Sequence, residues 1–85
     1  MKLWLLEPLS DLEPGFSPWV PWYDKAFGFV VRAETEEQAR ELAHAQGGDE
    51  NRAEHEPWKN PLLSSCKELT AEGPAEVVIQ DFKSA

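Results

Sequence analysis

The sequence predicts a single α+β domain over residues 1–85, with one helix and about four strands in the order β-β-α-β-β. Apolar residues alternate through residues 27–33, and apolar positions with helical spacing follow directly after them. The triplet at residues 77–79 is the most strand-prone in the chain. Because a single helix covers only one side of a sheet, we expect a mostly antiparallel sheet with the helix on one face and the other face open.

The first strand is predicted at residues 2–7, which are apolar on both faces except at the ends of the segment. Such a pattern is typical of a central or well-covered strand. Four prolines then fall within residues 8–25, and prolines at this density prevent a regular helix and remove backbone donors from a sheet. We therefore predict a long, stiffened loop over residues 8–25, and loops of this length are often functional.

The second strand and the helix carry the clearest local signals. Phe27, Phe29, Val31 and Ala33 share the apolar face of a predicted strand. Thr35 to Gln38 has the form of a capping box, in which the Thr35 hydroxyl accepts from the Gln38 N–H and the Gln38 side chain reaches back to the N–H of Thr35. Ala39, Leu42, Ala43 and Gln46 then recur at helical spacing, and Gly47 ends the helix.

The remaining segments are predicted as a loop and a hairpin. Residues 49–60 are polar or charged apart from an alanine and a tryptophan, which favours a solvated loop with one irregular turn. The C-terminal part is predicted as two strands at residues 66–70 and 75–82, joined by a turn at residues 71–74 that contains glycine and proline.

Charge and composition exclude several classes of protein. The chain has 16 acidic and 8 basic residues and a formal charge of −8, so we expect no direct binding to nucleic acid, which requires a basic surface. The single cysteine cannot form an internal disulfide, which favours a reducing, cytoplasmic setting. The N-terminal apolar run of four residues is shorter than a signal peptide or a membrane helix needs, so we expect a soluble protein without membrane contact.

Residues that could carry chemistry do not form a recognisable motif. His44, His55 and Cys66 lack the close pairing typical of zinc sites, and the acidic segment near Asp49 lacks the spacing of a calcium loop. No nucleophile motif and no glycine-rich phosphate loop is present. We therefore predict no catalytic residue, no metal and no cofactor, and keep a small enzyme or metal-binding protein as a third alternative.

The loop at residues 8–25 holds an unusual aromatic cluster. Its members are Phe16, Trp19, Trp22 and Tyr23. Aromatic side chains on a stiff loop are typical of binding hot spots, but the same rings could instead cover the open face of the sheet. We place Trp22 mainly in the core, because it adjoins the second strand, and Trp19 mainly at the surface, because it lies between two prolines.

The predicted helix has a negatively charged side. Glu36, Glu37 and Glu41 lie there, with Glu34 just before the helix. This charge either keeps the protein soluble or docks on the basic groove of a partner, where it would mimic nucleic-acid phosphate. The predicted partner-binding residues are Phe16, Trp19, Trp22, Tyr23, Glu36, Glu37 and Glu41.

Most of the chain resembles a small uncharacterised type of protein from bacteriophages and prophages. The resemblance lies in residues 21–33 and 35–43, in Trp58 and Cys66, and in the tail at residues 77–82. It implies a phage-encoded accessory protein, and such small acidic proteins often bind and block a host defence component, as anti-CRISPR proteins do. The expected function is non-catalytic inhibition of a host protein that has a basic surface and handles nucleic acid or serves defence. The alternative is a phage structural or assembly protein that self-associates, for instance as a homodimer, through the open sheet face.

Overall fold

The computed structural model describes residues 1–9, 19, 25–52 and 55–80 of the chain. Within these residues, three strands form one antiparallel sheet in the order β2-β1-β3, and an α-helix follows the second strand. The elements are β1 (Lys2–Pro8), β2 (Phe29–Ala33), α1 (Glu36–Gln46), a 3-10 helix (Asp49–Arg52) and β3 (Ser64–Leu69). The α+β class and the central position of the first strand are confirmed.

Successive side chains of β1 point to opposite faces of the sheet, and one of these faces packs on α1. Leu6 pairs with Phe29 of β2 and with Cys66 of β3, and these three side chains face the helix. Ala39 and Ala43 of α1 are fully buried against them. Because alanine is small, the helix can approach the sheet closely, and larger aromatic rings fill the space beside it.

Trp58 is the largest fully buried side chain in the described part of the chain, and two aromatic rings pack on it edge-to-face. The ring centroid of Trp19 lies 4.7 Å from that of Trp58, and the ring of Phe29 lies 4.9 Å away. The indole N–H of Trp19 donates to the carbonyl oxygen of Leu63 at 3.2 Å. Trp19 is only 5% exposed. The predicted surface position of Trp19 is therefore wrong, because the core offers both a partner ring and an acceptor.

The predicted cap of α1 is confirmed, with one change of partner. The Thr35 hydroxyl accepts from the Gln38 N–H at 3.1 Å, but the Gln38 side chain accepts from the N–H of Glu34, at 2.8 Å. At the other end, the Gly47 N–H donates to the carbonyl of His44 at 3.2 Å. The helix has 11 residues, and no helix in the described ranges is long and apolar enough to cross a bilayer.

The predicted hairpin at the C-terminus is wrong in its second strand. β3 begins at Ser64 and pairs with β1, whereas residues 70–80 form no strand. Side chains 77–79 are more than half exposed. Ile79 and Gln80 line a groove together with Glu7 of β1. High β-propensity is a local preference, and it does not by itself make a segment pair with an edge strand such as β2 or β3.

Replacing Trp19 with alanine should destabilise the fold by about 3–5 kcal/mol, the usual cost of truncating a large aromatic side chain in a core. Urea denaturation followed by circular dichroism would measure this. The matched control is Phe27→Ala, because Phe27 is 68% exposed and its loss should cost much less. Equal stability losses for the two variants would contradict the core position of Trp19.

Candidate protein-binding surface

Four carboxylates lie on and just before α1, and we call them the acidic helix face. They belong to Glu34, Glu36, Glu37 and Glu41, and all four residues are exposed. Glu36 and Glu37 occupy the first turn, where the positive end of the helix dipole favours a carboxylate. Glu37 and Glu41 are one helical turn apart and therefore project from the same side.

The acidic helix face is only partly neutralised by the chain itself. On this face, Glu36 Oε2 forms an ion pair with Arg40 Nε at 2.9 Å. Glu37 and Glu41 border a shallow depression of about 280 Å3 whose rim also holds Arg40 and Lys59. Like charges four residues apart on a helix repel by roughly 0.2–0.5 kcal/mol. The surface therefore retains a local excess of negative charge that a cationic partner would relieve.

Arg40 holds this helix in place from the inside. Its guanidinium is almost fully buried, at 7% exposure of the residue. Nη1 donates to the Ser64 hydroxyl at 2.8 Å and to the Trp58 carbonyl at 3.2 Å, and Nη2 donates to the Ser64 carbonyl at 3.1 Å. One side chain thus joins α1 to β3 and to the turn before it.

Ser64 completes this connection. Its hydroxyl donates to the carbonyl of Pro57 at 2.7 Å while it accepts from Arg40. Arg40 was not among the predicted functional residues, although its position in the sequence indicates burial. Arg40 follows Ala39 and precedes Ala43 by three residues, so it lies on the buried side of the helix.

Glu50, in the 3-10 helix, is a fully buried carboxylate. Its Oε1 accepts from the Trp58 indole N–H at 2.8 Å, from the Gly48 N–H at 3.0 Å and from the Ala26 N–H at 3.2 Å. The predicted solvated loop over residues 49–60 is therefore wrong at Glu50 and at Trp58. A buried indole N–H and two backbone donors need an acceptor, and Glu50 supplies it. Trp58, a large apolar residue in a polar segment, was the feature of the sequence that indicated burial here.

The structure separates the predicted partner-binding residues into groups. Glu36, Glu37 and Glu41 are exposed on neighbouring turns of α1, as helical spacing predicts. Trp19 belongs to the core and not to the surface. The other three aromatic residues, Phe16, Trp22 and Tyr23, lie outside the described residues. The acidic helix face is therefore the part of the predicted surface that the structure positions.

Metal-binding and nucleophilic residues are the remaining candidates for chemistry. Among the residues that the structure describes, no group of three or more His, Cys, Asp or Glu side chains is placed to hold a metal ion. Burial raises the pKa of the Cys66 thiol, an effect that the nearby Arg40 opposes and Glu36 reinforces. The Cys66 thiol is therefore protonated at neutral pH and a weak nucleophile.

Arg40→Lys should destabilise the protein by about 2 kcal/mol, because an ammonium cannot reproduce the fork of donors and leaves buried acceptors unpaired. The matched control is Glu36→Gln, which removes the solvent-facing ion pair alone and should cost less than about 1 kcal/mol. Denaturant unfolding of both variants measures the difference. A small decrease in the free energy of unfolding for Arg40→Lys would show that the hydrogen bonds of the buried guanidinium contribute little to stability.

Alkylation of Cys66 by iodoacetamide at pH 7 should be slower in the folded protein than in urea. The reason is that burial both shields the thiol and raises its pKa, so the reactive thiolate is scarce. The rate should rise as the pH is raised from 7 to 10, which mass spectrometry can follow. A folded-state rate equal to that of free cysteine at pH 7 would contradict this environment.

Comparison of the chain with protein-family models, with curated proteins and with solved structures found no match. Function is therefore inferred from the acidic helix face and from the residues that hold it in place.

Proposed function

We propose that the chain is a non-catalytic protein-binding module whose acidic helix face docks on a basic surface of a host protein. The observation that carries the proposal is the set of exposed carboxylates on α1, of which Glu37 and Glu41 have no ion pair within the described residues. Opposite charges across an interface steer the encounter of two proteins and raise the association rate.

The hydrogen bonds that fix α1 to the rest of the fold support this proposal. The buried guanidinium of Arg40 joins the helix to β3, and the Thr35 cap fixes its first turn. The carboxylates are thus presented on a backbone that is already ordered before binding. Preorganisation lowers the entropic cost of association, so more of the electrostatic attraction contributes to affinity.

The class of partner follows from the sign of the charge and from the resemblance to phage accessory proteins. A protein that handles nucleic acid offers a basic groove for phosphate, and a row of carboxylates can compete for that groove. The module would then act stoichiometrically as an inhibitor of a host nucleic-acid-handling or defence protein. It would need no catalytic residue and no cofactor.

The test compares two variants that remove the same charge from different places. Glu37→Gln with Glu41→Gln neutralises the acidic helix face, and Glu72→Gln with Glu76→Gln neutralises two exposed carboxylates of the C-terminal segment. A partner is first captured from bacterial lysate with the wild-type protein and identified by mass spectrometry. Its association rate with each variant is then measured by surface plasmon resonance at several salt concentrations.

We expect the helix variant to associate several-fold more slowly at low salt and to show a weaker dependence on salt, whereas the C-terminal variant stays close to wild type. Double-stranded DNA should compete with the wild-type protein for the partner. Equal association rates for the two variants would mean that total charge matters and the helix face does not. A partner without a basic surface would also contradict the proposal.

Self-association through the sheet is the second candidate function, and it would suit a phage structural or assembly protein. It is supported by Leu3 and Val30, which are exposed on the face of the sheet that α1 does not cover. Sedimentation equilibrium distinguishes the candidates, because a dimer that Val30→Lys converts to a monomer supports assembly. A monomer at all concentrations supports the binding module.

A further inference from the structure

A groove of about 330 Å3 lies on the side of the sheet that faces away from α1. It is lined by Glu7, Phe27, Gly28, Ile79 and Gln80. Glu7 follows Leu6 in β1, and because Leu6 faces the helix, the side chain of Glu7 points to the opposite face. The groove thus lies between the start of the second strand and the C-terminal segment. Its size is near the lower end for ligand pockets, about 300–1,000 Å3, and suits a single side chain.

Phe27 gives the groove an aromatic wall. The residue is 68% exposed, which is unusual for a phenylalanine in a domain whose other described rings pack in the core. The ammonium of Lys25 lies over its ring, 5.0 Å from the centroid, and also donates to the Trp19 carbonyl at 2.8 Å. The ring therefore already lies against one cation, and its exposure leaves ring surface for contact with a ligand.

Two other lining residues supply hydrogen-bond acceptors. Glu7 contributes an exposed carboxylate that has no ion pair within the described residues, and Gln80 contributes a side-chain amide. Gly28 also lines the groove. An added Cβ there would lie 3.2 Å from the Leu6 carbonyl oxygen, so glycine allows this side of the groove to lie close against β1. Ile79 adds an aliphatic surface for a neighbouring residue of the ligand.

We propose that this groove binds an arginine side chain carried by an extended segment of a partner protein. The guanidinium stacks on the exposed surface of the Phe27 ring and pairs with the carboxylate of Glu7. Arginine fits better than lysine, because its planar group can stack and donate two parallel hydrogen bonds at once. The formal charge of −8 on the chain also favours a cationic ligand. This binding is separate from the acidic helix face and does not rest on the function proposed for it.

The test is an NMR titration of the 15N-labelled protein with the capped tetrapeptide Gly-Ile-Arg-Gly. The comparison peptide carries citrulline in place of arginine, which keeps the shape and removes the charge. We expect saturable shifts at the amides of Phe27, Gly28 and Gln80, and affinity for the arginine peptide about fivefold higher than for the citrulline peptide.

Substitutions locate the two contacts. Phe27→Leu keeps an apolar wall without the aromatic ring and should weaken binding about threefold. Glu7→Gln should weaken it by about fivefold and should abolish the preference for arginine over citrulline. The control Glu37→Gln removes one charge from the acidic helix face and should leave peptide affinity unchanged.

Three results would overturn the proposal. They are shifts confined to α1, equal affinity for the two peptides, and affinity that neither Phe27→Leu nor Glu7→Gln alters. Both substituted residues are exposed, and an amide spectrum that matches wild type away from the groove verifies that each variant is folded.

Discussion

The hydrogen bonds of Trp58 with two buried polar side chains are the constraint on which the rest of the structure depends. Its indole N–H donates to the carboxylate of Glu50, and its backbone carbonyl accepts from the guanidinium of Arg40. The ring itself receives the edges of Trp19 and Phe29. Each end of the residue therefore fixes a different element: the 3-10 helix through Glu50, and α1 through Arg40.

Such an arrangement has a physical reason in a domain of this size. An 85-residue chain buries a modest apolar surface, and the face of α1 toward the sheet is made largely of alanine. Directed hydrogen bonds then decide which of several compact packings is adopted. Buried polar groups are costly unless their hydrogen bonds are made. Arg40 makes several, and Oε1 of Glu50 accepts three, while Oε2 of Glu50 is buried without a hydrogen-bond partner within the described residues. The same bonds hold the acidic helix face in a fixed orientation.

The elements that local signals define were predictable from the sequence. The cap at Thr35, the glycine at the end of α1 and the two-sided apolar pattern of β1 each act over a few residues. The exposure of Glu36, Glu37 and Glu41 follows from helical periodicity for the same reason. Loop positions were less predictable, because the burial of Trp19 and Glu50 depends on Trp58, which is distant from Trp19 in sequence. The segment at residues 77–79 shows the same limit, since its strand propensity is local and the segment pairs with neither edge strand of the described sheet.

The central position of β1 also has a consequence for how the chain folds. β1 is synthesised before β2 and β3, yet the register pairs Leu3 with Leu69 at the far end of β3. The described sheet cannot be completed until β3 has been synthesised, and closure of so long a loop slows folding. Until then, a strand that is apolar on both faces is exposed to other chains. During synthesis there is therefore an interval in which β1 can aggregate with other chains, and this interval ends only when β3 has been made and has paired with β1.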